Sequence, residues 1–131
     1  MAELRGVIPY LIVDGAADAI DWYHEVLGAE EMARMTGGAG RIAHAELRIG
    51  PSSVFVADEH PQYESIVGPA KVGGTPVYLD LETADVVAIH DRAVAAGATS
   101  IRAPTDPSMA VQSAKVRDPF GHIWLITRSR R

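Results

Sequence analysis

Apolar residues recur every three to four positions in two stretches of the chain and at alternate positions through most of the rest. The first stretch predicts a helix from about Ala16 to Leu27, with Ala16, Ile20, Tyr23 and Leu27 on one face and Asp18, Asp21 and Glu25 elsewhere. Asp14 or Gly15 stands at its start, and Gly28 falls where left-handed backbone ends a helix. The second predicts a helix from about Ala84 to Ala96, closed by Gly97, with Val86, Val87, His90 and Val94 as its apolar side. Thr83 is its expected N-cap, and Asp85 suits the positive end of the helix dipole. Strands are expected at about 6–13, 30–35, 41–49, 52–57, 75–81, 100–103, 112–117 and 122–127. Gly37-Gly38, Gly50-Pro51 and Asp118-Pro119-Phe120-Gly121 supply turns, and the Pro- and Gly-containing stretch 58–74 reads as a linker.

The two halves repeat one another. Tyr10-Leu11 leads through a helix to Gly28-Ala29, and Tyr78-Leu79 leads through a helix to Gly97-Ala98. Each half reads strand, helix and three further strands, so a duplicated βαβββ unit accounts for the order. The expected fold class is α+β: one domain over 1–131, with module 1 at about 6–57 and module 2 at about 75–127. A curved sheet covered by one helix leaves its other face open, and two such mixed sheets can close around a central cleft.

Composition narrows the function. The chain has 131 residues, 47% of them hydrophobic and 22% charged, which suits a folded globular protein rather than a disordered one. No apolar run approaches the roughly 18 residues of a membrane span, and the start carries no recognisable signal peptide, so a cytoplasmic protein without a membrane partner is expected. The absence of cysteine excludes disulfides, thiolate catalysis and Cys-ligated metals. The net charge of −5 argues against nucleic acid, although Arg128, Arg130 and Arg131 gather at the end. It is compatible with a cationic small molecule.

Four segments carry a resemblance over almost the whole chain. These are Ile8-Pro9-Tyr10-Leu11-Ile12-Val13; Ala19-Ile20-Asp21-Trp22-Tyr23 with Leu27-Gly28-Ala29-Glu30; His44-Ala45-Glu46-Leu47-Arg48-Ile49-Gly50; and Asp118-Pro119-Phe120-Gly121-His122-Ile123-Trp124. In that order, on a βαβββ repeat, they resemble the vicinal-oxygen-chelate superfamily (glyoxalase, bleomycin resistance and extradiol dioxygenase proteins), in its PhnB-like branch. The resemblance implies a cleft between modules and a homodimer, because members commonly complete the cleft across a subunit interface. It also implies one divalent metal held by His, Glu or Gln. The corresponding positions here are Ile8 or Pro9, Val54 or Phe55, Pro76 and Leu125, none of which ligates a divalent ion. No metal and no cofactor are therefore expected. The segment Ser108-Met109-Ala110-Val111-Gln112 also departs from the branch, where bulky and charged residues are usual.

Alternation along the same strands gives the expected lining. Ile8, Tyr10 and Ile12 face the cleft, as do Pro76, Tyr78 and Asp80, with Val77, Leu79 and Leu81 behind the latter. His44, Glu46 and Arg48 share one strand face, and Leu125 and Thr127 point inward from the last strand. The candidate ligand-binding residues are Tyr10, Ile12, His44, Glu46, Phe55, Tyr78, Asp80, Gln112 and Leu125. Tyr10 and Tyr78 occupy equivalent places and could stack a planar ligand or simply fill the barrel. His44 and Glu46, two residues apart, are the candidate catalytic groups; the alternative is a His–carboxylate or Glu46–Arg48 bond that only shapes the cleft. His90 reads as a satisfied core or interface residue, His24 and His60 as surface, and His122 and Asp118 as turn residues. Two functions remain open. One is a metal-free binding protein that sequesters an aromatic or cationic compound such as an antibiotic. The other is an enzyme (lyase, isomerase or dioxygenase) with a displaced metal site or His44/Glu46 acid/base chemistry.

Overall fold

The computed structural model describes residues 2–63 and 66–129; Arg130 and Arg131 of the basic tail lie outside the described residues. The first half comprises β1 (Tyr10–Val13), α1 (Ala16–Leu27), β2 (Glu30–Thr36), β3 (Ile42–Ile49) and β4 (Ser52–Asp58). A connecting stretch holds the short helix α2 (Pro69–Val72). The second half comprises β5 (Tyr78–Glu82), α3 (Val86–Ala95), β6 (Thr99–Arg102), β7 (Val111–Arg117) and β8 (Ile123–Ser129). The strands form two four-stranded mixed sheets, ordered β1-β4-β3-β2 and β5-β8-β7-β6. β1 runs parallel to β4 and β5 to β8, while the remaining pairs are antiparallel. This is the expected pair of tandem βαβββ modules in an α+β fold.

Each sheet buries the face that carries a helix. Leu11, Val13, Ala45, Leu47, Val54 and Val56 are buried beneath Ala16, Ala19, Ile20, Tyr23 and Val26 of α1. In the second module Ala114, Val116, Trp124 and Ile126 pack beneath Val86, His90 and Ala93 of α3. The core is continuous across the modules: Trp22 Nε1 donates to the Ala96 carbonyl at 2.8 Å, and Tyr23 donates to Asp118 at 2.6 Å. Among the described residues no helix is long and apolar enough to cross a membrane.

Helix α1 has the expected bounds, and the Gly28 cap is left-handed (φ 67°). Its N-cap, Gly15, is left-handed as well and offers no side chain. The capping carboxylate arrives from the far end of β4 instead. Asp58 Oδ1 accepts from the backbone N–H groups of Gly15 (3.0 Å) and Ala16 (2.8 Å), and Oδ2 from that of Ile42 (2.7 Å). Burial pushes the Asp58 carboxyl up, but these three donors, with Arg41 at 3.7 Å, outweigh it and hold it below its ordinary value. A depressed carboxyl stabilises the fold above its unfolded-state value, about 4, and that contribution is lost as pH falls through the folded-state value. Asp58→Asn is therefore expected to cost about 1–3 kcal/mol at neutral pH and to flatten the acid limb of a stability–pH profile. An unchanged acid limb in urea titrations would contradict this role.

Four expectations are corrected. The first strand of each module is shorter than read, beginning at Tyr10 and Tyr78 rather than at about 6 and 75. Both are edge strands following a proline (Pro9, Pro76), whose nitrogen offers no donor, and Val7 (95% exposed) and Val77 are left outside the sheets. Asp85, not Thr83, is the N-cap of α3: its carboxylate accepts from Ala88 N–H at 3.0 Å, while Thr83 Oγ1 accepts from Asp85 N–H. Val87 and Val94 lie exposed, and Ala93 takes the buried place beside Val86 and His90. The linker contains α2, tied down by buried Glu59, which accepts from Gly68 N–H at 2.6 Å and pairs with Lys71 at 3.6 Å.

Candidate functional site

Strand alternation leaves one face of each sheet open. On the first, β1 contributes Tyr10 and Ile12, β4 Phe55, and β3 His44 and Glu46. The register sets Tyr10 beside Phe55 and Phe55 beside Glu46. Three rings meet there. Tyr10, His44 and Phe55 have centroids 4.7–5.5 Å apart, all in edge-to-face geometry. The Tyr10 hydroxyl lies 2.7 Å from His44 Nδ1. Burial raises the Tyr10 pKa above its ordinary value. His44 thus bonds to Tyr10, not to Glu46, and neither expected alternative, a His44–Glu46 nor a Glu46–Arg48 bond, forms. Glu46 is half-buried and makes no hydrogen bond or ion pair with a described residue.

A cleft of about 1130 Å³ opens at one end of this face. Tyr10 and Ile12 form one side; Arg41, His60, Tyr63 and Lys71 close it from the β2–β3 turn and the connecting stretch. By sequence pattern alone His60 belongs on the surface. The fold corrects this: His60 is half-buried, its ring 4.2 Å from that of Tyr63, and its Nδ1 is buried without a partner. Non-local contacts of Glu59 with Gly68 and Lys71 hold the stretch over the sheet, which no local pattern foretells.

The open face of the second sheet carries Tyr78 and Asp80 from β5, Leu125 and Thr127 from β8, and Ser113 and Lys115 from β7. Thr127 donates to Asp80 at 2.7 Å, and the Lys115 ammonium sits 4.4 Å over the Tyr78 ring. Gln112 is not part of this face. It is 5% exposed on the helix side, beside Ala114 and Val116, and donates to the Thr105 carbonyl at 3.2 Å. The strand's parity gives the open face to its neighbours Ser113 and Lys115, which alternation from Gln112 exposes. Tyr78 and Asp80 line a second cleft, of about 1070 Å³, with Ile8 and the β3–β4 turn. Tyr10 and Tyr78 therefore occupy different clefts of one chain.

The other histidines are accounted for within the fold. His90 is buried between Asp91 (2.9 Å) and Ser100 (2.8 Å), His24 donates to the Ala29 carbonyl, and His122 to that of Ile12 across the modules. At the positions where the resemblance implies metal ligands, Val54 points into the core, Phe55 and Leu125 are apolar, and Ile8 and Pro76 lie outside the strands. Among the described residues no three His, Asp or Glu side chains converge. That donor set does not fit a divalent ion.

Paired βαβββ modules with one covered and one open sheet face define a cleft-forming class of protein. The Glyoxalase/Bleomycin resistance protein/Dioxygenase superfamily profile matches residues 7–126, and the chain belongs to that superfamily. It is 42% identical over 118 residues to the uncharacterized protein Rv0887c of Mycobacterium tuberculosis, covering 88% of this chain and 69% of that protein. Its fold is similar to that of TioX from Micromonospora sp. ML1 (TM-score 0.70, 28% identity, 97% of this chain and 98% of that one). A PhnB protein from Bacillus cereus shares the fold at 14% identity (TM-score 0.70, 95% of this chain and 100% of that one).

Proposed function

We propose that this protein binds an aromatic or cationic small molecule, such as an antibiotic, and holds it without a metal and without transforming it. The observation that carries the reading is the Tyr10–His44–Phe55 cluster with Glu46 opposite Phe55 on β3, its carboxylate without a partner among the described residues. Ring edges and faces recognise a planar ring, and a half-buried carboxylate favours a positive charge on it. A second copy of the chain is proposed to complete the cleft. The aromatic walls of one chain lie apart, β1 and β5 are edge strands with one side unpaired among the described residues, and Leu4 and Val7 are over 90% exposed. The test is calorimetric titration with proflavine, a planar cation, beside sedimentation velocity. Saturable binding by a species of twice the chain mass is expected; a monomer with no affinity for the dye overturns the reading.

The Tyr10–His44 contact favours one alternative, acid/base catalysis at the same place, since an imidazole hydrogen-bonded to a phenol can pass a proton to and from a substrate. On that reading His44→Ala abolishes turnover of a substrate while binding and folding persist. Full turnover by the variant overturns it.

A further inference from the structure

The second sheet's open face carries three cations in a chain of net charge −5: Lys115 and Arg117 on β7, and Arg102 on β6. Arg102 and Lys115 are direct cross-strand partners. Like charges so placed are destabilising unless something negative lies between them. No described carboxylate does so. Arg102 donates to Ser113 Oγ at 2.6 Å, which lays its guanidinium across β7, and among the described residues the Lys115 ammonium makes no hydrogen bond or ion pair and sits over the Tyr78 ring. Asp80 shares the Lys115 row across Leu125, but its carboxylate accepts from Thr127.

We propose that Lys115 and Arg102 form an oxyanion-binding position on the open face of the second sheet, beside the cleft that Tyr78 lines, so that the ligand carries a carboxylate or phosphate at the end that meets this sheet. This rests on the reading of the cleft as a small-molecule site and adds the chemistry of its second wall. An oxyanion between the two cations turns their repulsion into two charge-assisted hydrogen bonds, and a ring attached to it lies against Tyr78 beside the ammonium. Where a second copy completes the cleft, that copy's first sheet takes the aromatic or cationic part of the same molecule.

Calorimetric titration with charge-matched probes tests this: benzoate, phenyl phosphate and inorganic phosphate against benzamidine. Benzoate and phenyl phosphate are expected to bind the native protein saturably, with affinity falling at least about tenfold in Lys115→Met and in Arg102→Met. Benzamidine affinity is expected to stay within about twofold in both variants, and thermal midpoints without ligand to be no lower than that of the native chain. Inorganic phosphate binding as well as phenyl phosphate assigns recognition to the oxyanion alone, and weaker binding adds the Tyr78 ring; both support the position. Unchanged benzoate and phenyl phosphate affinity in both variants overturns the proposal, as does failure of all three anions to bind. If benzamidine and proflavine bind while the anions do not, only this inference falls. If nothing binds, the small-molecule reading falls with it.

Discussion

Asp118→Ala is expected to cost about 3–5 kcal/mol and to lower the thermal midpoint by more than about 10 °C, the largest effect of any single change considered for this chain. Asp118 is 3% exposed and accepts four hydrogen bonds. Oδ2 takes the Tyr23 hydroxyl (2.6 Å) and the Trp124 indole N–H (2.9 Å); Oδ1 takes the backbone N–H groups of Phe120 (2.9 Å) and His122 (3.0 Å). Alanine there leaves a buried phenol and a buried indole without partners and releases the turn that starts β8. Because Tyr23 belongs to α1 and Trp124 to β8, the loss also loosens the packing of one module on the other. Burial, and after it the Asp118 charge and hydrogen bond, raises the Tyr23 pKa well above its ordinary value. That phenol therefore stabilises the fold fully below about pH 10 and ceases to as pH rises through its folded-state value. Urea unfolding of the variant measures the loss; a change below about 1 kcal/mol would contradict the role.

Phe55→Ala is expected to weaken proflavine binding at least about tenfold while lowering stability by only about 1–2 kcal/mol, because the ring is half exposed. Phe55 is the ring that both others touch, His44 at 4.7 Å and Tyr10 at 5.5 Å, so its removal opens the middle of the wall. Tyr10→Phe keeps the ring and removes only the hydroxyl that hydrogen-bonds with His44, and should change affinity by less than about threefold. Calorimetry on the two variants separates ring stacking from the polar contact. Equal affinity in Phe55→Ala and the native chain would remove this wall from the site.

Periodicity made the modules legible, and alternation made much of the site legible with them. Leu11 and Val13 go under α1 while Tyr10 and Ile12 stay open, and the same parity separates Ala45 and Leu47 from His44 and Glu46. What the sequence left out depends on contacts between distant residues. His60, Tyr63 and Lys71 reach the cleft because Glu59 pins Gly68 beside it, and α1 is capped by Asp58, 42 residues beyond Ala16. Residues 6–9 and 75–77 have strand composition, yet no strand of the same chain flanks their open edge, so composition alone overran both boundaries. The segment before β7 has the composition of a cleft wall, but strand parity turns Gln112 to the helix side. The same parity, carried three residues on from Gln112, points to Lys115.

The most direct test of the account is the amide 1H–15N spectrum of the protein titrated with proflavine. The account predicts saturable shifts concentrated at residues 10–12, 44–46 and 53–57, the strands that carry the aromatic wall and Glu46. Shifts confined to the helices, or none up to the dye's solubility, would contradict it.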